Sequence, residues 1–266
     1  MKIAAGIEYD GSQFYGWQRQ AVEPTVQQVL ESALSKVANE DIVVHCAGRT
    51  DTGVHAFGQV VHFETTAERD THSWVFGANS NLPPEVAIRW VKFVDDDFHA
   101  RFSAYERTYQ YVILNRPARS ALFSKKVTWI PRELNAQSMQ EAANMLVGEH
   151  DFNAFRSVAC QAESSIRHVK QIELNRFQNL VVMQIRANAF LHHMVRNIMG
   201  VLLEVGLGKK DTGWVKEVLL SLDRTKAGVT APASGLYFMQ VKYPEKFALD
   251  NDQNNLFELT NLITDE

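Results

Sequence analysis

Residues 47–55 read Ala-Gly-Arg-Thr-Asp-Thr-Gly-Val-His. Two glycines allow the backbone to turn tightly. Between them stand one cation, Arg49, one carboxylate, Asp51, and two hydroxyls, Thr50 and Thr52. A carboxylate kept ionised out of water can act as a nucleophile. The same residues also make an ordinary polar turn, in which Asp51 accepts nearby backbone N–H groups. A second segment, Phe98-His99-Ala100-Arg101-Phe102, interleaves aromatic and basic side chains. That mixture suits stacking and phosphate contact, and equally a packed loop with one exposed arginine. A third segment, His192-His193-Met194-Val195-Arg196-Asn197, places a cation off the apolar stripe of a helix.

Other chemistries fit less well. His192 and His193, with His45, His55 and His62 elsewhere, raise the question of a metal. Adjacent helical residues point about 100° apart, and neither HExxH nor paired CxxC is present. Hydrolysis of a glycoside usually needs two carboxylates about one bond, and the Asp51 loop supplies one.

The elements that must hold these residues can be read from periodicity. Ile3, Ala5, Ile7 and Tyr9 alternate as one side of a strand, and Asp10-Gly11 reads as a turn. Over residues 25–38 the period becomes helical, with Val26, Val29, Leu30, Ala33, Leu34 and Val37 in a stripe. Thr25 with Gln28 reads as a capping box. Strands are predicted over 42–47, 59–65, 86–94, 107–114, 181–187 and 236–243, with a further one around Leu174. Helices are predicted near 73–78, from a cap at Asn135 to a stop at Gly148, over 191–205 with Gly206 as the stop, and over 214–220. The Asp51 loop lies between two strands. The order predicts an α+β protein of two related lobes, 1–104 and 105–244, sharing a largely antiparallel central sheet flanked by helices. Residues 245–266 read as a polar, mobile tail.

At 266 residues with 45% hydrophobic content the chain can bury a large core. Cys46 and Cys160 form no disulfide framework, which fits a reducing cytoplasm. The N-terminus is too short and polar for a signal peptide, and no apolar run reaches membrane-spanning length. The net charge of −4 is uneven: residues 245–266 carry −5 and the rest carries +1. A near-neutral body can still present a local basic surface, so charge neither supports nor excludes a nucleic-acid partner.

Four segments, GIEYDGSQFYGWQRQ (6–20), AGRTDTGVHA (47–56), FHARFSA (98–104) and NAFLHHMVRNIMG (188–200), resemble the TruA family of tRNA pseudouridine synthases. GQVVHF, NLPPEVAIRW and SGLYFMQVKYP fit as well, in the expected order. The family pattern usually has alanine where this chain has Thr52. The resemblance implies isomerisation of uridine to pseudouridine at positions 38, 39 and 40 of the tRNA anticodon stem-loop. It implies Asp51 as nucleophile, Arg196 as the cation that keeps Asp51 ionised, and Arg49 as an aid to flipping the base. Tyr109 would stack on the uracil and Leu236 would pack against it. Phe98, His99, Arg101 and Phe102 would touch the tRNA. It further implies a cytoplasmic homodimer with no metal and no organic cofactor. A non-catalytic tRNA-binding protein is the alternative; it would keep the aromatic and basic residues without needing Asp51.

Overall fold

The computed structural model describes residues 1–249. In chain order the strands are β1 (Lys2–Tyr9), β2 (His45–Cys46), β3 (His55–Glu64), β4 (Val86–Val94), β5 (Glu106–Asn115), β6 (Thr128–Ile130), β7 (Gly148–Asp151), β8 (Ile166–Phe177), β9 (Leu180–Ala187) and β10 (Leu236–Lys242). The α-helices are α1 (Val26–Ala38), α2 (Thr71–Asn79), α3 (Ala136–Asn144), α4 (Met194–Gly206) and α5 (Trp214–Ser221). Helices with mostly antiparallel strands make this the α+β class expected from the sequence. The chain forms two compact units. One holds Met1–Glu106 and takes back the final strand from Tyr237; the other holds Arg107–Leu236. No helix among the described residues is long and apolar enough to cross a membrane.

In the first unit the strand order is β4-β1-β3-β10, with β2 beside β3. Strand β1 is buried on both sides, not only on the side of Ile3, Ala5 and Ile7, because Ala4 on the opposite side is also fully covered. Gly6 completes that second face: a Cβ there would lie 2.1 Å from the Trp90 indole. Strand β10 runs parallel to β3, pairing Tyr237 with His55 and Phe238 with Ala56. Helix α1 packs on α2, and α2 packs on β4.

The expected capping box at α1 does not form. Thr25 makes no side-chain cap bond. The first-turn amides are satisfied otherwise: Val26 N donates to the Gly16 carbonyl at 3.2 Å and Gln27 N to the Trp17 carbonyl at 3.0 Å. With those orphan donors taken by a neighbouring loop, the threonine hydroxyl is not needed. The strand expected over 42–47 shrinks to His45–Cys46 for a related reason. Ile42 N donates to Ser35 Oγ and Val44 N to the buried Glu31 carboxylate, so α1 side chains take ladder donors.

In the second unit the order is β5-β9-β8-β7, with β6 parallel to β5. Helix α3 packs on β8 and on α4. Asn135 caps α3 as expected, its side chain accepting from Ser138 N at 3.0 Å. The helix ends at Asn144, earlier than Gly148, which has φ +112 and opens β7. Helix α4 starts three residues later than the sequence suggests, because His193 takes φ +64 and breaks the helical path. Of the expected tail, Glu245–Phe247 form a 3-10 turn and Phe247 is buried against Phe98; residues 250–266 lie outside the described residues.

Candidate active site

Asp51 sits on the loop between β2 and β3, and hydrogen bonds within the first unit hold the loop's backbone. Thr50 is buried, and its Oγ1 lies 2.7 Å from the Tyr9 hydroxyl. The Thr50 carbonyl accepts from Trp17 N at 3.0 Å, and the Gly48 carbonyl from Gln59 Nε2 at 2.6 Å. Val54 N returns to the Asp51 carbonyl at 3.1 Å, closing a turn whose Gly53 has φ +78. Only glycine adopts that angle without strain. Gly16, with φ +85, lies so close that a Cβ would meet the Thr50 carbonyl oxygen at 2.9 Å and Thr52 N at 3.1 Å. Burial raises the Tyr9 phenol above its ordinary range, so it stays protonated. The side chain of Asp51 is half-buried, while Arg49 and Thr52 are exposed. In the sequence Tyr9, Gly16 and Trp17 stand out only as parts of a strand and of a segment that resembles the family. The chance to see more lay in the two glycines flanking an aromatic run.

His55 ends the loop and stacks on Tyr237 at 4.7 Å. Its Nδ1 lies 3.1 Å both from Gly11 N and from an Asp10 carboxylate oxygen. One nitrogen cannot accept from the amide and donate to the acid together. The amide bond is the better founded, since its donor is fixed in the backbone.

The 98–102 segment divides into an inner and an outer part. Phe98 is fully buried among Tyr243, Phe247 and His62, so it anchors the loop and presents no surface to a partner; this corrects its expected role in tRNA contact. Phe102 is 74% exposed, with the Arg101 guanidinium 5.4 Å from its ring centre and the His99 ring centre at 4.3 Å. His99 Nδ1 accepts from the backbone N–H groups of Arg101 and Phe102, at 3.1 and 3.3 Å. That bonding requires an unprotonated Nδ1, and burial, with His45, Lys2 and Arg101 nearby, lowers the His99 pKa accordingly. Cys46 brings Arg49 and Arg101 into one neighbourhood: burial pushes its thiol up to about 12, and both arginines oppose that rise.

His62 lies beneath this cluster. Burial lowers its pKa to about 3, assisted by His99, His45 and Lys2, while its Nδ1 accepts from Ala100 N at 3.1 Å. The unfolded chain binds this proton near 6.5 and the folded chain only near 3. Stability is therefore full above pH 6.5 and falls as pH drops toward 3, by up to about 1.4 kcal/mol per pH unit. Melting temperature between pH 7 and 5 should decline accordingly, by about 2–4 °C per kcal/mol. His62→Asn keeps an acceptor for Ala100 N–H and should flatten the decline. An unchanged slope in the variant would show that His62 does not carry the effect.

The second unit holds the other expected residues. Tyr109 is central on β5, 8% exposed, opposite Ile185 on β9 and edge-to-face with Phe190 at 5.0 Å. Arg196 lies half-buried in the first turn of α4. Its Nε donates to the Ala231 carbonyl at 2.9 Å, and Ala231 N donates to the Arg196 carbonyl at 3.1 Å. Leu236 is 5% exposed and opens β10. The segment 231–236 is thus gripped at one end by Arg196. Near its start the Tyr111 hydroxyl donates to the Pro232 carbonyl at 2.7 Å. Tyr111 and Tyr109 share a face of β5, so the Arg196 segment and the Tyr109 strand are built together. His192 and His193 precede α4, with ring centres 4.1 Å apart. The helical 100° divergence expected for them is therefore not present.

This chain belongs to the tRNA pseudouridine synthase family, whose model matches residues 5–103 and 142–244. Within the family it is similar to proteins named tRNA pseudouridine synthase A. It is 55% identical to that of Escherichia fergusonii over 248 residues, which cover 93% of this chain and 92% of the relative. It is 54% identical to that of Yersinia pestis over 249 residues, covering 94% of each.

Proposed function

We propose that this protein converts uridine to pseudouridine at positions 38, 39 and 40 of the tRNA anticodon stem-loop, with Asp51 as nucleophile and Arg196 as its charge partner. The observation that carries the reading is the Asp51 loop. Its backbone is fixed at Gly48, Thr50, Gly53 and Val54 by hydrogen bonds within the first unit, while its carboxylate stands half-buried at the crest. In the reaction the C1′–N1 bond breaks, the uracil turns and a C1′–C5 bond forms. A proton leaves C5 and one is gained at N1. Nothing is oxidised, reduced or hydrolysed, so the balance calls for no metal or organic cofactor. A fixed carboxylate supplies the assistance that base detachment requires. Tyr109 and Leu236 form the apolar support for the uracil, and Arg49 fills the space the flipped base leaves, at a flipping cost of roughly a few kcal/mol. The enzyme works in the cytoplasm as a homodimer.

Arg101, with Phe102 beside it, serves tRNA binding. Arg101→Ala should weaken binding and reduce the salt slope by about 0.9 for each duplex phosphate it no longer neutralises. Arg49→Ala should instead slow the chemical step more than it weakens binding. Normal single-turnover rates for Arg49→Ala at saturating enzyme would remove that assignment. The function as a whole is tested by mapping pseudouridines in tRNA from cells that lack the protein. Loss confined to positions 38–40 supports it, and retention of all three contradicts it.

A further inference from the structure

We propose that Asn197, Arg224 and Thr230 are positioning residues for Arg196. This rests on the reading that Arg196 acts in the reaction. Asn197 follows Arg196 in α4 and is fully buried. A buried amide must find partners, and both ends of this one do. Its Nδ2 donates to the Phe155 carbonyl at 2.7 Å. Its Oδ1 accepts from Thr230 Oγ1 at 2.6 Å and from Arg224 Nη2 at 3.0 Å. Arg224 Nη2 also reaches Thr230 Oγ1 at 2.9 Å, and Nη1 donates to the Gly228 carbonyl at 3.0 Å.

The three side chains thus tie the stretch 228–230 to α4. The fit leaves no space for movement inward. A Cβ on Gly200 would lie 1.9 Å from the Val229 carbonyl oxygen, and one on Gly228 would lie 2.9 Å from that of Gly200. The next residue is Ala231, whose carbonyl takes the Arg196 Nε and whose amide takes the Arg196 carbonyl. A bond at Nε fixes the plane of the guanidinium and so the direction in which its fork opens. Thr230 sets where that carbonyl stands. Asn197 and Arg224 hold Thr230, and neither needs to meet the substrate.

The test compares Thr230→Val, which keeps shape and removes the hydroxyl, with Thr230→Ser, which restores it, and with Arg196→Met. Single-turnover rate constants are measured at saturating enzyme across pH, with tRNA affinity measured separately. The tRNA sets the amplitude of such a reaction, so enzyme is raised until the rate constant no longer changes, which removes the effect of partial loss of folded protein; displacement of Arg196 lowers that saturated rate constant. A displacement near 1 Å costs up to about 10²-fold, so Thr230→Val should slow by about 10- to 100-fold. Its tRNA affinity should stay within about twofold, well under 1 kcal/mol. Its acid limb should move to higher pH, as for Arg196→Met, and Thr230→Ser should recover most of the rate. If Thr230→Val does not accumulate as folded protein, Arg224→Lys, at a half-buried site, carries the same readouts in the same direction. Wild-type rate constants and an unmoved limb in Thr230→Val or Arg224→Lys, with Arg196→Met impaired, would overturn the positioning role. A wild-type Arg196→Met would instead remove the reading beneath it.

Discussion

Asp51→Asn should leave a folded protein that still binds tRNA but forms pseudouridine at least about 10⁴-fold more slowly, the loss expected if the proposed nucleophile is removed from a set of groups acting together. Asparagine matches aspartate in size, and backbone bonds help to fix the loop's shape. The bonds that fix it run from Tyr9, Trp17 and Gln59 to Thr50 and Gly48, and from Val54 N to the backbone carbonyl of residue 51. The expected melting temperature is therefore close to that of the wild type, and the loss is one of chemistry. Single-turnover assays with tRNA binding measured in parallel check both halves. Near-normal turnover in the pure variant would take Asp51 out of its role.

Arg196→Met should give slow catalysis whose acid limb moves to higher pH. The sign follows from charge. A cation beside a carboxylate favours the ionised form, and removing it raises the carboxylate pKa, typically by about 1–3. The nucleophile is then protonated over a wider acid range, so activity falls away at a higher pH than in the wild type. Methionine keeps much of the bulk and none of the charge. It also drops the Nε bond to the Ala231 carbonyl, so some rate loss persists above the limb. Arg196→Lys should recover part of the rate, because a point charge replaces the fork. Adding Arg196→Met to Asp51→Asn should cost no further rate, since the two act as one unit. A wild-type rate with an unmoved limb would make Arg196 an ordinary cation.

The regular elements were legible because burial leaves a period in the sequence. Helix α4 and strands β1, β5 and β10 appear near where they were expected, although β1 and β5 are buried on both faces rather than one. What was not legible depends on contacts between distant segments. Thr25 reads as a capping residue, but its side chain caps nothing, and the first-turn amides of Val26 and Gln27 go to the carbonyls of Gly16 and Trp17. Phe98 reads as part of an exposed aromatic and basic surface, since alternation alone does not say which aromatic faces inward; the fold buries Phe98 and exposes Phe102. His193 reads as helical, because nothing in the period marks a residue that takes a left-handed angle. The Asp51 loop was visible as a polar loop with one carboxylate. Its support from Gly16, Trp17 and Tyr9 was not, because those contacts join segments far apart in the chain. Tyr109 and Leu236 are almost wholly covered, so burial alone would class them as core, and their proposed roles come from the family resemblance.

The most direct measurement is tritium release from tRNA labelled at C5 of uridine, because the proton at C5 leaves only if the new C1′–C5 bond forms. Purified wild-type protein should release one tritium for each uridine at positions 38–40, and none from a tRNA with no uridine there. Binding of the labelled tRNA with no release, or release from other positions alone, would contradict the proposed reaction.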